Sequence, residues 1–545
     1  MKRKKVLSII YSLIITTLII IGTSFILTGN FKAITKHPIL FLIPSGLLYK
    51  IINEITIHLY DKLDEKKMQN LNAKKSKFNT LLKEKPFIFS LIFILLCWLI
   101  YLIAFYPGIL SPDPSYQILQ YFGIDNKYSY YSILIDKSVI LTNHHPVIHT
   151  LLLGSCIKIG IKLFNSFSIG LFIYTLIQTF ILAATLSYTI KFMKEINVNE
   201  KYRKLCLFIY ALVPVFPLYA LSPVKDVIFG CLIILYVISL YKFIKNKCSM
   251  KVKDIVREII LIILIMLFRN NGFHVVLLSF PFLFLTSKKN LKKYLLIFLV
   301  VISFYFSYNK VILPHFKITN GSIREMLSVP FQQTARYVKE HKNEVTKSEK
   351  KAIDKILDYD TIDKRYNPKL ADPVKNKFNR YYTNNDLKNY FKVWFLELKK
   401  HPITYIEATI NNTYGYFYPV ETNWYVYIIP KKIVNDFGFN YSFNSLYILR
   451  YVLSAIALVF PYIPFIGLFV NIGFNTWILL FMLSYLLYKK NYKSIIYILP
   501  SLILLLVCFV SPANTYFRYA LPNIFLMPTL FSMFIKEKKI NALLS

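Results

Sequence analysis

The chain has 545 residues, of which 55% are hydrophobic and only 17% charged, with a formal net charge of +38. Its apolar residues come in unbroken runs near membrane-spanning length, not as amphipathic stripes, which excludes a single soluble core. The basic residues sit in short clusters between those runs, where they report orientation and anionic headgroups, so the charge does not point to nucleic acid.

The first apolar run, Val6 to Leu27, follows Lys2-Arg3-Lys4-Lys5 but lacks a small-x-small cleavage site, so it reads as an uncleaved first span with a cytoplasmic N-terminus. Segments 6–27 and 38–58 predict a hairpin, and the lysine-dense stretch 61–85 returns the chain inside. A span over 87–106 exits and ends at Tyr106-Pro107-Gly108, opening a first outer loop over 107–145. Counting 146–164 as a span would put Lys191, Lys194, Lys201, Arg203 and Lys204 outside, so it is assigned to the membrane interface. Spans over 168–190, 204–221, 224–244, 254–269, 272–287 and 294–313 then keep the basic loops inside. The segment 314–446 becomes an outer domain of about 130 residues with mixed secondary structure. Segment 447–463 is again interfacial or re-entrant, and spans over 465–488, 493–511 and 519–536 follow, leaving the C-terminus cytoplasmic. The expected architecture is an all-α polytopic membrane protein with about twelve spans plus interfacial helices, or fourteen spans if 146–164 and 447–463 also cross. It divides into an N-terminal hairpin and basic loop (1–86), a membrane core (87–313), the outer domain (314–446) and C-terminal membrane segments (447–545).

With this topology the polar groups that are costly near a bilayer gather on one side. Asp113 lies in Ser111-Pro112-Asp113-Pro114-Ser115, where Pro114 predicts an extended backbone at Asp113. The bland alternative is a turn carboxylate capping a helix that contains Gln117 and Gln120. His144 and His145 precede Pro146, which suits the start of a helix. His145 and His149 have a metal-capable spacing, but no local carboxylate or cysteine completes a set. Cys97, Cys156, Cys206, Cys231, Cys248 and Cys508 lie in or beside apolar runs at no zinc-like spacing, so neither metal nor cofactor is expected. Lys225-Asp226, Arg269-Asn270-Asn271-Gly272, Arg518-Tyr519 and the group Gln332, Gln333 and Arg336 complete the outer rim. Singly, each has an ordinary reading as a helix-start pair, a tight turn or a snorkelling cation. Together they set cations on the side that basic residues normally avoid, which implies an anionic ligand. A carboxylate beside several cations suits transfer of a group from a lipid phosphate to a polar acceptor.

The acidic loop from Tyr106-Pro107-Gly108 through Asp113 to Gln117, the His145-Pro146 helix start and Arg518-Tyr519 before the last span resemble the GT-C superfamily of membrane glycosyltransferases. With Lys225-Asp226, Arg269 to Gly272 and Pro330-Phe331-Gln332-Gln333, the chain is similar to a poorly characterised bacterial branch over about 87–536, leaving 6–58 as an added hairpin. The resemblance implies a polyprenyl-phosphate-linked sugar donor and a cell-envelope acceptor such as a glycan, teichoic acid, lipid or protein. It casts Asp113 as the general base and Lys225, Arg269 and Arg518 as phosphate ligands. Many relatives carry paired acidic residues in this loop, whereas here the next acid is Asp125, which points to a metal-independent reaction. The rival readings are a transporter or flippase of lipid-linked saccharide and a non-catalytic membrane scaffold.

Overall fold

A computed structural model of the protein describes residues 2–65, 77–128, 141–245, 249–420, 425–443 and 446–541. Parts of the expected basic loop (66–76), first outer loop (129–140), inner loop (246–248) and outer domain (421–424, 444–445) lie outside the described residues. Among the described residues every regular element is helical, and extended pairing is confined to isolated bridges such as Thr142 with Thr319 and Leu370 with Ala513.

Among the described residues seven helices are long and apolar enough to cross a membrane: Lys2–Thr28, Pro38–Asp64, Pro86–Ala104, Val147–Phe164, Phe167–Glu195, Lys225–Lys245 and Lys288–His315. Six coincide with expected spans. The seventh, Val147–Phe164, is the segment assigned to the interface, and its length and composition do not set it apart from the others. The remaining expected spans are shorter, broken or more polar. Pro214 separates Glu200–Leu212 from Val215–Ala220, and Pro281 turns the end of Gly272–Ser279 into a 3-10 helix. A proline inside a run removes a backbone donor and clashes with the preceding turn, so apolar length does not become helix length there.

Burial sorts these helices. Pro38–Asp64 shows Ile39, Leu40, Leu42 and Ile43 on its surface, an apolar face suited to lipid, whereas 83% of the apolar window of Lys225–Lys245 is buried. That central helix packs along Phe517–Asn541. Asp226 meets Arg518, Gly230 faces Phe525, and Lys245 meets Glu537, so the two helices run parallel and start at the same end of the bundle. At the opposite end stand further ion pairs and polar contacts: Lys245 and Asn491 on Glu537, Lys489 on Asp64, Lys4 on Asp61, and Lys242 on Glu195.

The segment 314–446, termed the outer domain after its expected side, has its own core of Phe331, Tyr337, Ile353, Tyr390 and Tyr405. Its described residues are helical and not mixed, and the sequence explains why. Thr346 with Glu349 and Thr383 with Asp386 form capping boxes that satisfy the first amides of Lys347–Asp354 and Asn384–Lys400. Gly29 at the tip of the N-terminal hairpin accepts hydrogen bonds from Arg336 and Asn411, and the Phe31 amide donates to Glu407. The hairpin is therefore built into the domain and does not stand apart from it.

Candidate functional site

Four helices begin around one point: Pro112–Tyr121, Val147–Phe164, Lys225–Lys245 and Phe517–Asn541. Helix starts carry unpaired amides and the positive end of the helix dipole, so this convergence favours negative charge.

Asp113 lies in the first turn of Pro112–Tyr121 and is helical, not extended. In a first turn no intrahelical bond needs the proline nitrogens, so Pro112 and Pro114 start the helix where they would break its interior. The carboxylate does not cap that helix; it turns away to receive Arg518 Nη2 at 2.7 Å and Lys225 Nζ at 3.5 Å. Burial opposes its charge, but the cations Arg518 and Lys225 outweigh that and hold the carboxyl well below the usual carboxylate range. Behind it, Asp226 pairs with Arg269 and lies 3.3 Å from Arg518 Nε. Arg269 is further fixed between the rings of Phe229 and Tyr519, each 5.4 Å from its guanidinium. The tight turn after Arg269 needs Gly272, since a Cβ there would stand 2.4 Å from the Ile265 carbonyl oxygen. Accessibility falls from front to back, from 20% for the Asp113 side chain and 14% for Lys225 to 1% for Asp226.

His145 Nδ1 lies 3.0 Å from Lys225 Nζ. Burial and then Lys225 press the imidazole well below its ordinary range, so the ring is neutral. An ammonium only donates, so Nδ1 accepts and the proton sits on Nε2, which is buried with no partner among the described residues. His144 stacks on Tyr128 at 4.2 Å, and burial pushes it down to about 4.

The remaining expected site residues are placed differently. Gln117 faces inward, donating to Thr150 and lying 3.1 Å from His149, whose other nitrogen meets Tyr174. Tyr174 continues to Gln178, whose amide donates to the carbonyls of Tyr219, Ala220 and Ser222. That chain steadies the turn before Lys225. Asn270 donates to the Asn143 carbonyl and joins two loops. Gln332 donates to the Asn367 carbonyl, and Gln333 bridges Thr409 and Trp394. Arg336 is held by Glu340, Glu407 and Gly29. Gln333 and Arg336 thus belong to the frame of the outer domain, away from Asp113.

Sequence reasoning missed one wall of the site. Residues 317–325 run beside 141–145, with the Asn143 amide donating to Thr319 and Gly321 against His144. This brings up Glu325, which is paired with Arg324 and Lys375. The charge of Glu325 acts on His144. The adjacent Arg-Glu pair was the available signal. On another side, Tyr416 and Asn412 hold the loop Ser511–Asn514, and Gly415 allows that approach because a Cβ would collide with Thr515.

Sequence comparison places this arrangement in one family. The chain belongs to a family of unknown function, DUF6020. The match covers residues 4–543, so DUF6020 includes the N-terminal hairpin as well as the cluster around Asp113. No curated protein and no solved structure matches this DUF6020 chain.

Proposed function

We propose that the protein is a membrane glycosyltransferase of the GT-C type. It moves a sugar from a polyprenyl-phosphate-linked donor to a cell-envelope acceptor on the outer face of the cytoplasmic membrane. The reading includes about twelve spans and cytoplasmic termini, with the end of the bundle at Glu537 inside.

The observation that supports it is a surplus of positive charge: among the described residues, Lys225, Arg269 and Arg518 share only the carboxylates of Asp113 and Asp226. Arginine does not deprotonate to relieve such an excess. A donor phosphate supplies the missing negative charge, reaching the accessible Lys225 first and receiving the free Nε2–H of His145. As it draws Lys225 and Arg518, Asp113 loses cationic partners and becomes more basic. The carboxylate then takes the proton of an acceptor hydroxyl as its oxygen bonds to the anomeric carbon. The bond from that carbon to the phosphate oxygen breaks, and polyprenyl phosphate leaves with the electron pair, its charge met by the cations. Asp226 has no accessible surface to act as base and serves to hold Arg269 and Arg518 in place. A transporter would carry such ionisable groups near mid-membrane, whereas these stand at helix ends, Asp113, Lys225, Asp226 and Arg518 in first turns and Arg269 just past a last turn.

The test is Asp113→Asn in vesicles supplied with polyprenyl-phosphate sugars, with mass spectrometry of envelope glycans from cells with and without the protein naming donor and acceptor. Transfer should fall by at least about 100-fold with the helical circular dichroism unchanged. Undiminished transfer by the variant removes Asp113 from the role of base.

A further inference from the structure

The outer domain holds a second cluster that the transfer reaction does not use. His341 Nδ1 lies 3.1 Å from Glu344 Oε1, and His401 Nε2 lies 2.7 Å from Glu344 Oε2. The two imidazoles stack at 3.6 Å, and the three ligand atoms lie within 4.8 Å of one another. Neighbouring ligand atoms around a tetrahedral zinc, with bonds of about 2.0–2.1 Å, are about 3.3 Å apart, so small side-chain rotations suffice.

The hydrogen-bond pattern calls for a cation between these groups. Thr404 donates its one hydroxyl proton to Glu340 Oε2 at 3.3 Å and lies 3.1 Å from His341 Nε2. The imidazole must therefore be the donor in that pair, with its proton on Nε2. In a neutral ring Nδ1 is then a bare lone pair, and it faces a carboxylate oxygen. Two lone pairs at that distance repel unless a proton or a metal ion lies between them. The chain from His341 through Thr404 to Glu340 is the outer support that fixes the tautomer of a metal-binding histidine.

His341 stands at the C-terminal end of Ser328–Glu340, and His401 stands between the end of Asn384–Lys400 and the start of Pro402–Thr413, so the negative helix end at His341 is the one left unbalanced there. The nearby lysines are engaged elsewhere, Lys342 on Asp363 and Lys400 on Glu349.

We propose that His341, Glu344 and His401 bind a divalent transition-metal ion, with zinc the best fit to two imidazoles and one carboxylate. The ion clamps the ends of two outer-domain helices. This site is independent of the reaction assigned to Asp113, and its signal is readable in the sequence as His-x-x-Glu at 341–344 with a second histidine at 401. The expectation of no metal rested on the cysteines and on His145 with His149, which are elsewhere.

The experiment uses the full chain in detergent, stripped with chelator and titrated with Co²⁺ and then Zn²⁺. One Co²⁺ per chain should bind with visible absorption that Zn²⁺ abolishes. Glu344 is exposed, so Glu344→Gln leaves the fold intact, and it should weaken binding by more than the about 10–100-fold that loss of an outer support costs. Thr404→Val should weaken it by about 10-fold. A parent protein that takes up no stoichiometric metal, or uptake unchanged in both Glu344→Gln and the double variant His341→Ala/His401→Ala, overturns the proposal. The first of these outcomes would make the cluster an imidazolium–carboxylate pair.

Discussion

Arg336 and Arg518 are both buried arginines in ion networks, and the two networks differ in which sign is in excess. Arg336 meets two acids, Glu340 and Glu407, and the Glu340 side chain is 39% exposed, so water shares its charge. Among the described residues around Arg518 three cations meet two carboxylates, and only Asp113 and Lys225 have appreciable contact with the outside. An excess of acid is relieved by hydration or by a proton, whereas arginine keeps its charge, so a buried excess of it is relieved by an anion or by water. The first network therefore reads as framework and the second as a ligand site. The sharpest way to break this contrast is Asp226→Asn, which strands Arg269 in the interior. It should cost about 3–5 kcal/mol, read as a fall in the melting temperature in detergent. Arg336→Met should cost less, because the acids it leaves behind can hydrate or protonate. Equal losses would erase the distinction.

Glu397 sharpens the comparison from within the outer domain, as a buried carboxyl with no cation hydrogen-bonded to it. Burial pushes it up to about 8, although Tyr405 donates to it. Its folded value lies above its unfolded one, so the folded state holds the proton more tightly between about pH 4.5 and 8. Stability from this group is full below that window and is lost as the pH rises through it. Glu397→Gln keeps an acceptor for Tyr405 and has no proton to lose. The variant should melt above the parent at pH 8.5, by on the order of 3 kcal/mol, and the gap should close near pH 4.5. A gap that does not change with pH would mean that the carboxyl is not held neutral.

The cluster at Asp113 was legible because the topology expected from the basic loops sets Lys225, Arg269 and Arg518 against the inside bias of basic residues. The extent of helix was legible for long apolar runs such as Phe167–Glu195, and less so where prolines interrupt them. The backbone at Asp113 was misread for a physical reason. The rule that proline disfavours a preceding helical residue was applied without allowing for a first turn, where no earlier turn of helix stands to be disrupted. The polar partners were not legible. Gln332, Gln333 and Arg336 mark a polar stretch of one helix, but Asn367, Thr409, Trp394 and Glu407, which they meet, lie far along the chain.

Gln333 gives the smallest effect and the cleanest separation of framework from ligand site. Its amide donates to Thr409 at 3.0 Å and its carbonyl accepts from Trp394 at 3.0 Å, so both ends of the side chain are used within the domain. Both partners are partly exposed and regain water when the side chain is removed, which limits the cost to about 1 kcal/mol for Gln333→Ala. Nothing ties Gln333 to Asp113, so vesicle transfer by this variant should match the parent below its melting temperature. A fall in transfer with unchanged melting would move Gln333 into the ligand site and would extend that site from the helix starts around Asp113 into the outer domain.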